Sequence, residues 1–285
     1  MSSQTAQLDA TNSPASAVGG SVQRFVGRHS TATLYLGDSG LLLPTMEAIN
    51  CIVTDVPYGE TRCDWDVRMD CLKMWSAISE CITPDCNVVT TATQPIAALL
   101  ITSNLKHFKH EWIWEKTSSG GFAVAKYAPM RYHESVLVFG YGKPPYNPIK
   151  REYSESTKHR FAKNGRNNGD KAAASGARNS VGLVKKISHH INIEGGAMPK
   201  SVLRFKSVHN AKRTHPTQKP VELMEYMVLT YSNPGDTVCD PFMGSGTTGI
   251  ACLRAGRNFI GIERDAAHYK TACDRIAHEL DGALL

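Results

Sequence analysis

The sequence around Gly244 combines a strand end, a glycine-rich turn and a later acid. Val238-Cys239-Asp240 closes a short apolar run, and Gly244-Ser245-Gly246-Thr247-Thr248-Gly249 opens the helix-like segment that follows. Glu263 closes the next apolar run, at the distance of about 20 residues where an acid can accept hydrogen bonds from both hydroxyls of a ribose. Because strand, turn, helix and acid occur in this order, the pattern predicts a nucleoside ligand rather than glycines that serve packing alone.

The acid that precedes the turn separates two classes of nucleoside ligand. Asp240, in Asp240-Pro241-Phe242, places a carboxylate at the strand end beside the glycines. This charge would repel a pyrophosphate, which disfavours NAD and the oxidoreductases that use it. S-adenosylmethionine has no phosphate and carries a sulfonium and an ammonium, so it tolerates an acidic neighbour. The turn therefore favours this methyl donor over a dinucleotide.

A second candidate site is the tetrapeptide Asp55-Val56-Pro57-Tyr58, which follows the apolar run INCIVT. Ligands of open α/β sheets bind beyond the carboxyl ends of the strands, so this turn should face the same crevice as Asp240. An exocyclic base amine is a poor nucleophile because its lone pair is delocalised into the ring. The Asp55 carboxylate and the Val56 carbonyl could accept its two N–H bonds and favour a pyramidal nitrogen, with Tyr58 stacked on the base. Taken alone, such a turn is more often structural.

Together these motifs resemble those of the amino-DNA-methyltransferases, which modify adenine N6 or cytosine N4, in the permuted order that places the catalytic motif before the donor motif. Asp55 to Tyr58 is similar to the family's (D/N/S)PP(Y/F/W), with Val56 in place of the first proline, and Asp240 to Thr247 is similar to D-P-F-x-G-S-G-T. Two further family stretches look like YGETRCDWD and RYHESVLVFGYGKPPYNP. The resemblance covers roughly residues 31 to 146 and 198 to 270.

The resemblance also implies which residues bind the donor. The acid in LYLGDSGLLL would contact the adenine of the donor, and HPTQKP would lie beside its methionine moiety. The implied donor-binding residues are Asp38, Asp240, Pro241, Phe242, Gly244, Ser245, Gly246, Thr247, Glu263, Thr217 and Lys219. Catalysis would fall to Asp55, Val56, Pro57 and Tyr58.

The activity that the resemblance implies is site-specific methylation of DNA by S-adenosylmethionine. The target base must be flipped out of the duplex, because its amine is otherwise stacked and paired. Aspartate at the first position of the catalytic motif is commoner in adenine-specific members, so adenine N6 is the expected target and cytosine N4 the alternative. A dinucleotide-dependent oxidoreductase, and a DNA-binding protein whose site has decayed at Val56, are the rival hypotheses.

The segments that position these motifs alternate between short apolar runs and helix-like stretches, which is typical of parallel βαβ units. We therefore predict an α/β fold, a Rossmann-like methyltransferase sheet with helices on both faces, interrupted by a target-recognition insertion. The expected organisation is a disordered tail at 1–22, a catalytic half at 23–142, the basic insertion at 143–200, and a cofactor-binding half of the same domain at 201–285.

Positive charge is concentrated in the insertion. The 285 residues carry a formal net charge of +6, whereas residues 150–186 contain ten Lys or Arg and three acids, a net charge of +7. Such a run is either a solvated loop or a surface for a polyanion. Given the resemblance, we expect it to bind double-stranded DNA, with Lys163, Arg166 and Lys171 on phosphates.

Cysteine usage and hydropathy indicate the compartment. The eight cysteines lack zinc-ligand spacing and several lie in apolar runs, so neither a metal site nor disulfides are predicted. The longest charge-free run, residues 86–105, contains many polar side chains, so no membrane span is expected. A cytoplasmic location in a bacterial or phage-infected cell follows. A homodimer and a companion endonuclease of a restriction–modification system stay open.

Overall fold

The structure, a computed structural model, describes residues 20–57, 70–120, 125–164, 178–179, 182–183, 196–208 and 218–282. The described residues form two compact units, one drawn from 20–147 and 201–282 and the other from 148–200. Of the tail predicted at 1–22, residues 1–19 lie outside the described residues, and Val22 already begins a strand.

Most of the first unit is a single large sheet. The strands of the described residues are β1 (Val22–Val26), β2 (Thr31–Leu36), β3 (Ile49–Asp55), β4 (Ile82–Ala92), β5 (Phe108–Gly120), β6 (Arg131–Gly140), β7 (Arg178–Asn179), β8 (Gly182–Leu183), β9 (Val202–Phe205), β10 (Thr237–Asp240) and β11 (Asn258–Glu263). All but β7 and β8 join one nine-stranded sheet in the order β1-β2-β11-β10-β3-β4-β6-β5-β9.

The helices lie between the strands along the chain. They are α1 (Ser39–Leu42), α2 (Cys71–Cys81), α3 (Ile96–Ser103), α4 (Glu155–Asn164), α5 (Val221–Tyr231), α6 (Thr247–Arg254) and α7 (Ala266–Gly282). Local sequence sets where they begin: Asp70 accepts hydrogen bonds from the first amides of α2, and Pro220 immediately precedes α5. A proline or a short acid at these positions is typical of a helix start.

The predicted α/β fold is confirmed, although the sheet is mixed rather than wholly parallel. Strands β2, β11, β10, β3 and β4 pair in parallel, whereas β1 and β6 run antiparallel to their neighbours. A parallel pair needs a crossover long enough to hold a helix, but an antiparallel pair can be joined directly. Within the described residues no helix lies between β5 and β6 along the chain, and these strands pair antiparallel.

Two hydrophobic cores cover the two faces of the sheet. The first packs α5, α6 and α7 on one face, and the second packs α1, α2 and α3 on the other. Alternate residues of β6 divide between them, with Val136 and Val138 in the first core and Leu137 and Phe139 in the second. Because strands buried on both faces must be apolar on both, the central strands read as continuous apolar runs.

The chain changes direction between β3 and β10. From β3 it passes through α2 to β4 on one side, and from β10 it passes through α6 to β11 on the other. The loops that leave the carboxyl ends of these two adjacent strands therefore diverge. Such a switch point is where open α/β sheets bind their ligands.

The second unit is closed where the chain enters and leaves it. Arg151 and Ala197 form an antiparallel bridge through both of their backbone hydrogen bonds. The unit contains α4 and the two-stranded β7–β8 hairpin. Within the described part of the chain, no helix has the length and apolarity needed to cross a membrane.

Candidate active site

Asp240 links the ends of β3 and β10 from inside the fold. Its Oδ1 accepts hydrogen bonds from Thr54 Oγ1 at 2.6 Å and from the Phe242 amide at 3.1 Å, and its Oδ2 accepts one from Thr248 Oγ1 at 2.7 Å. The residue is 3% exposed, and burial raises its pKa to about 6 against the opposing effect of these bonds. The carboxylate thus ties β3, β10 and α6 together rather than lining the surface of the crevice.

The glycine-rich turn is shaped by two left-handed residues. Gly244 and Gly246 have φ of +51° and +77°, and Gly246 closes the turn by donating to the Met243 carbonyl at 2.8 Å before α6 begins. A Cβ on Gly246 would lie 3.0 Å from Ala272, and one on Gly249 would lie 2.7 Å from the Phe259 ring. These last two glycines therefore permit close packing against α7 and β11, whereas Gly244 is partly exposed.

An arginine from another helix supports the same turn. The Arg275 guanidinium, on α7, donates to Ser245 Oγ at 2.8 Å and to the Ser245 carbonyl at 2.5 Å, and its Nη1 lies 3.3 Å from Thr247 Oγ1. Ser245 and Thr247 are buried. These contacts hold the turn through its buried side chains, so Ser245 and Thr247 support the backbone of the site.

Glu263 closes the site on the side of β11. Its Oε2 accepts the Gly244 amide at 2.9 Å, its Oε1 accepts the Asp265 amide at 2.8 Å, and burial raises its pKa. The Glu263 carbonyl accepts the Gly37 amide at 2.9 Å, which places Asp38, exposed at the N-terminus of α1, directly after the neighbouring strand. A carboxylate has about four lone-pair sites, so Glu263 keeps acceptor capacity for a ligand.

Asp55, at the end of β3, is held by two side chains. Thr91, its parallel neighbour on β4, donates to Oδ1, and the Lys219 ammonium donates to Oδ2 at 2.5 Å. The Lys219 side chain is buried. Lys219, which the sequence placed beside the donor's methionine, thus contacts the candidate catalytic carboxylate.

A second buried carboxylate extends this contact. Glu134 Oε2 lies 3.5 Å from the Lys219 ammonium, and Glu134 Oε1 pairs with Lys116. Burial tends to lower the pKa of Lys219, but the Asp55 and Glu134 carboxylates outweigh it and raise that pKa. Burial raises the pKa of Glu134, but Lys219 and Lys116 outweigh it and hold that pKa low. Both partners are therefore charged at neutral pH.

Some of the remaining predicted residues are buried or partly buried, and others lie outside the described part of the chain. The Val56 side chain, 2% exposed, packs in the second core, so an apolar residue fills the position of the family proline. Pro57 follows it, partly buried; Pro241 is buried, and Phe242 packs partly buried against the same core. Predicted residues that lie outside the described part of the chain, or whose side chains do, are Tyr58, Thr217, Lys163, Arg166 and Lys171.

Sequence reasoning missed the residues that support the site. Thr54, Thr91 and Thr248 are small polar residues in or beside apolar runs, and that position was their signal. Glu134 and Lys116 are charged residues next to the strand cores of RYHESVLVFG and HEWIWEK. An acid and a base in such positions of two successive strands predict a buried ion pair.

Comparison with known proteins identifies what the chain is similar to. Residues 49–274 match the N6_N4_Mtase family model, described as DNA methylase. The Type II methyltransferase M.HpaI of Haemophilus parainfluenzae is 40% identical over 105 residues, 36% of this chain and 33% of that protein. The Type II methyltransferase M2.DpnII of Streptococcus pneumoniae is 45% identical over 104 residues, 33% of this chain and 39% of that protein. The matches thus span well under half the length of these relatives.

Solved structures share the fold. A complex of M1.HpyAVI with SAM superposes with a TM-score of 0.57 at 22% identity, covering 86% of this chain and 99% of that one. The PvuII DNA methyltransferase, described as cytosine-N4-specific, superposes with a TM-score of 0.55 at 16% identity, covering 88% of this chain and 93% of that one. At these identities the likeness establishes the α/β architecture.

The inward position of Asp240 predicts an unusual dependence of stability on pH. Its folded pKa of about 6 lies above its ordinary value of 3.8, so the protonated carboxyl stabilises the fold at low pH and this contribution is lost as the pH rises through about 6. Relative to Asp240→Asn, the wild-type free energy of unfolding should fall by about 1 kcal/mol between pH 5 and pH 8. Urea unfolding at the two pH values measures the difference.

The control for this experiment is Asp274→Asn, which changes an exposed carboxylate on α7. Its difference from wild type should vary less between the two pH values, because solvent already surrounds that group. A constant difference for Asp240→Asn would contradict a carboxyl that is protonated in the fold at pH 5.

Proposed function

The chain belongs to the N6_N4_Mtase family of DNA methylases, and from this premise we propose that it transfers a methyl group from S-adenosylmethionine to the exocyclic N6 of adenine in double-stranded DNA. The observation that carries the proposal is the hydrogen bond between Thr54 and Asp240. It fixes the strand that ends in Asp55 against the strand that leads into the glycine-rich turn. A base-binding group and a nucleoside-binding group therefore meet at one switch point.

The residues at the end of β11 fit the nucleoside part of this donor. Glu263 offers a half-buried carboxylate for two ribose hydroxyls, and its bond to the Gly244 amide holds it against the turn. Asp38 lies at the next strand end and offers an acceptor for the amine of the donor's adenine. With three acids near the turn, a pyrophosphate is disfavoured. We assign Asp240 a positioning role, because its oxygens are used within the fold.

Asp55 and Val56 are the residues that would bind the target amine during the reaction. S-adenosylmethionine would supply a methyl group on a positively charged sulfur. The amine nitrogen would bond the methyl carbon while the carbon–sulfur electron pair returns to sulfur, and the amine would then release one proton to solvent. The Asp55 carboxylate and the Val56 carbonyl accept hydrogen bonds from the two N–H groups of the amine, and these bonds strengthen as positive charge develops on nitrogen. Pro57 restricts the backbone of Val56 to the extended region, and Tyr58, which lies outside the described residues, is the proposed stacking partner of the flipped base.

The second unit is the proposed target-recognition part. Its chain ends meet at the Arg151–Ala197 bridge, so it is inserted without interrupting the sheet. The basic run of residues 150–186 would neutralise phosphates, with Lys163, Arg166 and Lys171 among the contacts. Asparagine and arginine side chains of the same run can read base edges in the major groove.

The direct test is to identify the methylated base. Unmethylated plasmid incubated with the protein and isotopically labelled S-adenosylmethionine should yield labelled N6-methyladenine on nucleoside analysis. Labelled N4-methylcytosine would assign the alternative target within the same family. Plasmid of several sequences that gains no label would contradict the proposed activity.

Removing the Asp55 carboxylate should impair chemistry more than binding. We expect Asp55→Ala to lower the single-turnover methylation rate by at least ~10²-fold, the loss typical of one preorganised polar group. Affinity for the donor should change little, because Glu263 and Asp38 hold it at the other end of the site. Asp55→Asn, which keeps one carbonyl acceptor, should retain more activity than Asp55→Ala. A stable Asp55→Ala protein with the wild-type rate would refute the assignment.

Glu263 should act through donor affinity. If its carboxylate bonds the ribose hydroxyls, Glu263→Ala should weaken donor binding by about 1.5–3 kcal/mol, the range for hydrogen bonds to charged groups. Isothermal titration calorimetry with S-adenosylmethionine measures this. The matched control is Glu80→Ala, an exposed glutamate on α2, which should bind like wild type. Equal affinities for Glu263→Ala and wild type would place the ribose elsewhere.

A further inference from the structure

We propose that Lys219 is a positioning residue for methyl transfer: its buried ammonium fixes the Asp55 carboxylate for the target amine, and Glu134 and Lys116 in turn fix Lys219. This inference rests on the proposed function and assigns Lys219 to the target side of the site. The donor-binding role that the resemblance implied for Lys219 is the competing assignment.

The four charged side chains form one alternating chain across the sheet. Lys116 pairs with Glu134, Glu134 lies 3.5 Å from Lys219, and Lys219 bonds Asp55 at 2.5 Å. They come from β5, β6, the segment before α5, and β3. The side chains of Lys219 and Glu134 are 8% and 10% exposed, and Asp55 at the end of the chain is 21% exposed. The two middle members are thus the buried ones, and Lys219 joins the buried part of the chain to the candidate reaction site.

A contribution to the stability of the fold is a weak explanation for these buried ion pairs. Removing two charges from water costs several kcal/mol per ion, and replacing a buried ion pair with apolar residues of similar volume is often neutral or stabilising. What the chain does supply is geometry. Thr91 holds Oδ1 of Asp55 while Lys219 holds Oδ2, so the plane of the carboxylate is set by two elements. A carboxylate oxygen can accept more than one hydrogen bond.

The charges also balance. Two ammonium groups and two carboxylates give the chain a net charge of zero, with the carboxylate of Asp240 as a further acid near Asp55. Without Lys219, Asp55 would lose the ammonium that bonds its Oδ2, whereas Glu134 would keep its pair with Lys116. The chain would then hold one ammonium and two carboxylates, a net charge of −1. Lys219 therefore both neutralises and orients the Asp55 carboxylate.

The contact between Lys219 and Asp55 predicts an effect on rate rather than on donor affinity. In Lys219→Met the single-turnover rate at pH 7.5 should drop by about 10- to 100-fold, the loss expected when a reacting group is misplaced. Affinity for S-adenosylmethionine should stay near the wild-type value, because Glu263 and Asp38 are unchanged. Lys219→Arg should recover part of the rate, because it keeps a charged hydrogen-bond donor beside Asp55.

The experiment measures the single-turnover rate at pH 7.5 and the donor affinity by calorimetry on the same preparations. A second variant, Lys219→Met with Glu134→Gln, removes one carboxylate together with the lysine, which keeps the remaining charges balanced and guards against misfolding. It should fold with a smaller loss of thermal stability than Lys219→Met and still methylate slowly, because Asp55 lacks the Lys219 ammonium. The matched control is Lys270→Met, which removes an exposed ion pair with Asp274 on α7 and should leave the rate and the donor affinity unchanged.

Three results would overturn the inference while leaving the proposed function intact. The first is a folded Lys219→Met protein with the wild-type rate. The second is an equal rate loss in Lys219→Met and Lys219→Arg, which would show that the charge has no role. The third is a loss of donor affinity that accounts for the whole rate loss, which would assign Lys219 to the donor. A wild-type protein that methylates no DNA would overturn the proposed function, and this inference with it.

Discussion

The buried carboxylate of Asp240 is the interaction on which the arrangement of the site depends. It takes hydrogen bonds from Thr54 on β3 and Thr248 on α6 and lies itself at the end of β10. Strand β3, which is 186 residues away in the sequence, is thereby held against β10 and α6 by one side chain. A buried acid without these bonds would be costly, so the threonines and the acid are required together. The distance between the base-binding and nucleoside-binding residues follows from this contact.

The sequence predicted the elements well and their supporting contacts poorly. Apolar runs and helix-like stretches identified the central strands and their helices, because strands buried on two faces leave a pattern in composition. The glycine-rich turn was predicted to approach a nucleoside, which stays a prediction, and Gly246 and Gly249 also lie close to α7 and β11. Spacing cannot distinguish these cases, since a missing side chain permits close approach by a ligand or by a helix.

The direction of strand β6 explains why Glu134 and Lys116 were not predicted as site residues. Reasoning about α/β sheets searches the residues that follow each strand, at its carboxyl end. Strand β6 runs antiparallel to β4, with Ser135 opposite Ala92, so the beginning of β6 lies at the edge where β3 and β4 end. Glu134 reaches the site from this beginning, and Lys116 pairs with it from β5. Only the pairing order of the strands, which local sequence does not encode, brings these charges to Lys219.

The bridge between Arg151 and Ala197 affects how easily the segment between them can change in length. Once the two backbones are paired at this neck, the entropy of closing the loop beyond it grows only with the logarithm of its length. Doubling that segment would cost only about 0.6 kcal/mol. Insertions and deletions beyond the neck therefore cost little free energy, whereas the apolar residues of β3 and β10 divide between the two cores. The fold thus combines a segment whose length can vary with a sheet whose strand lengths are fixed by packing.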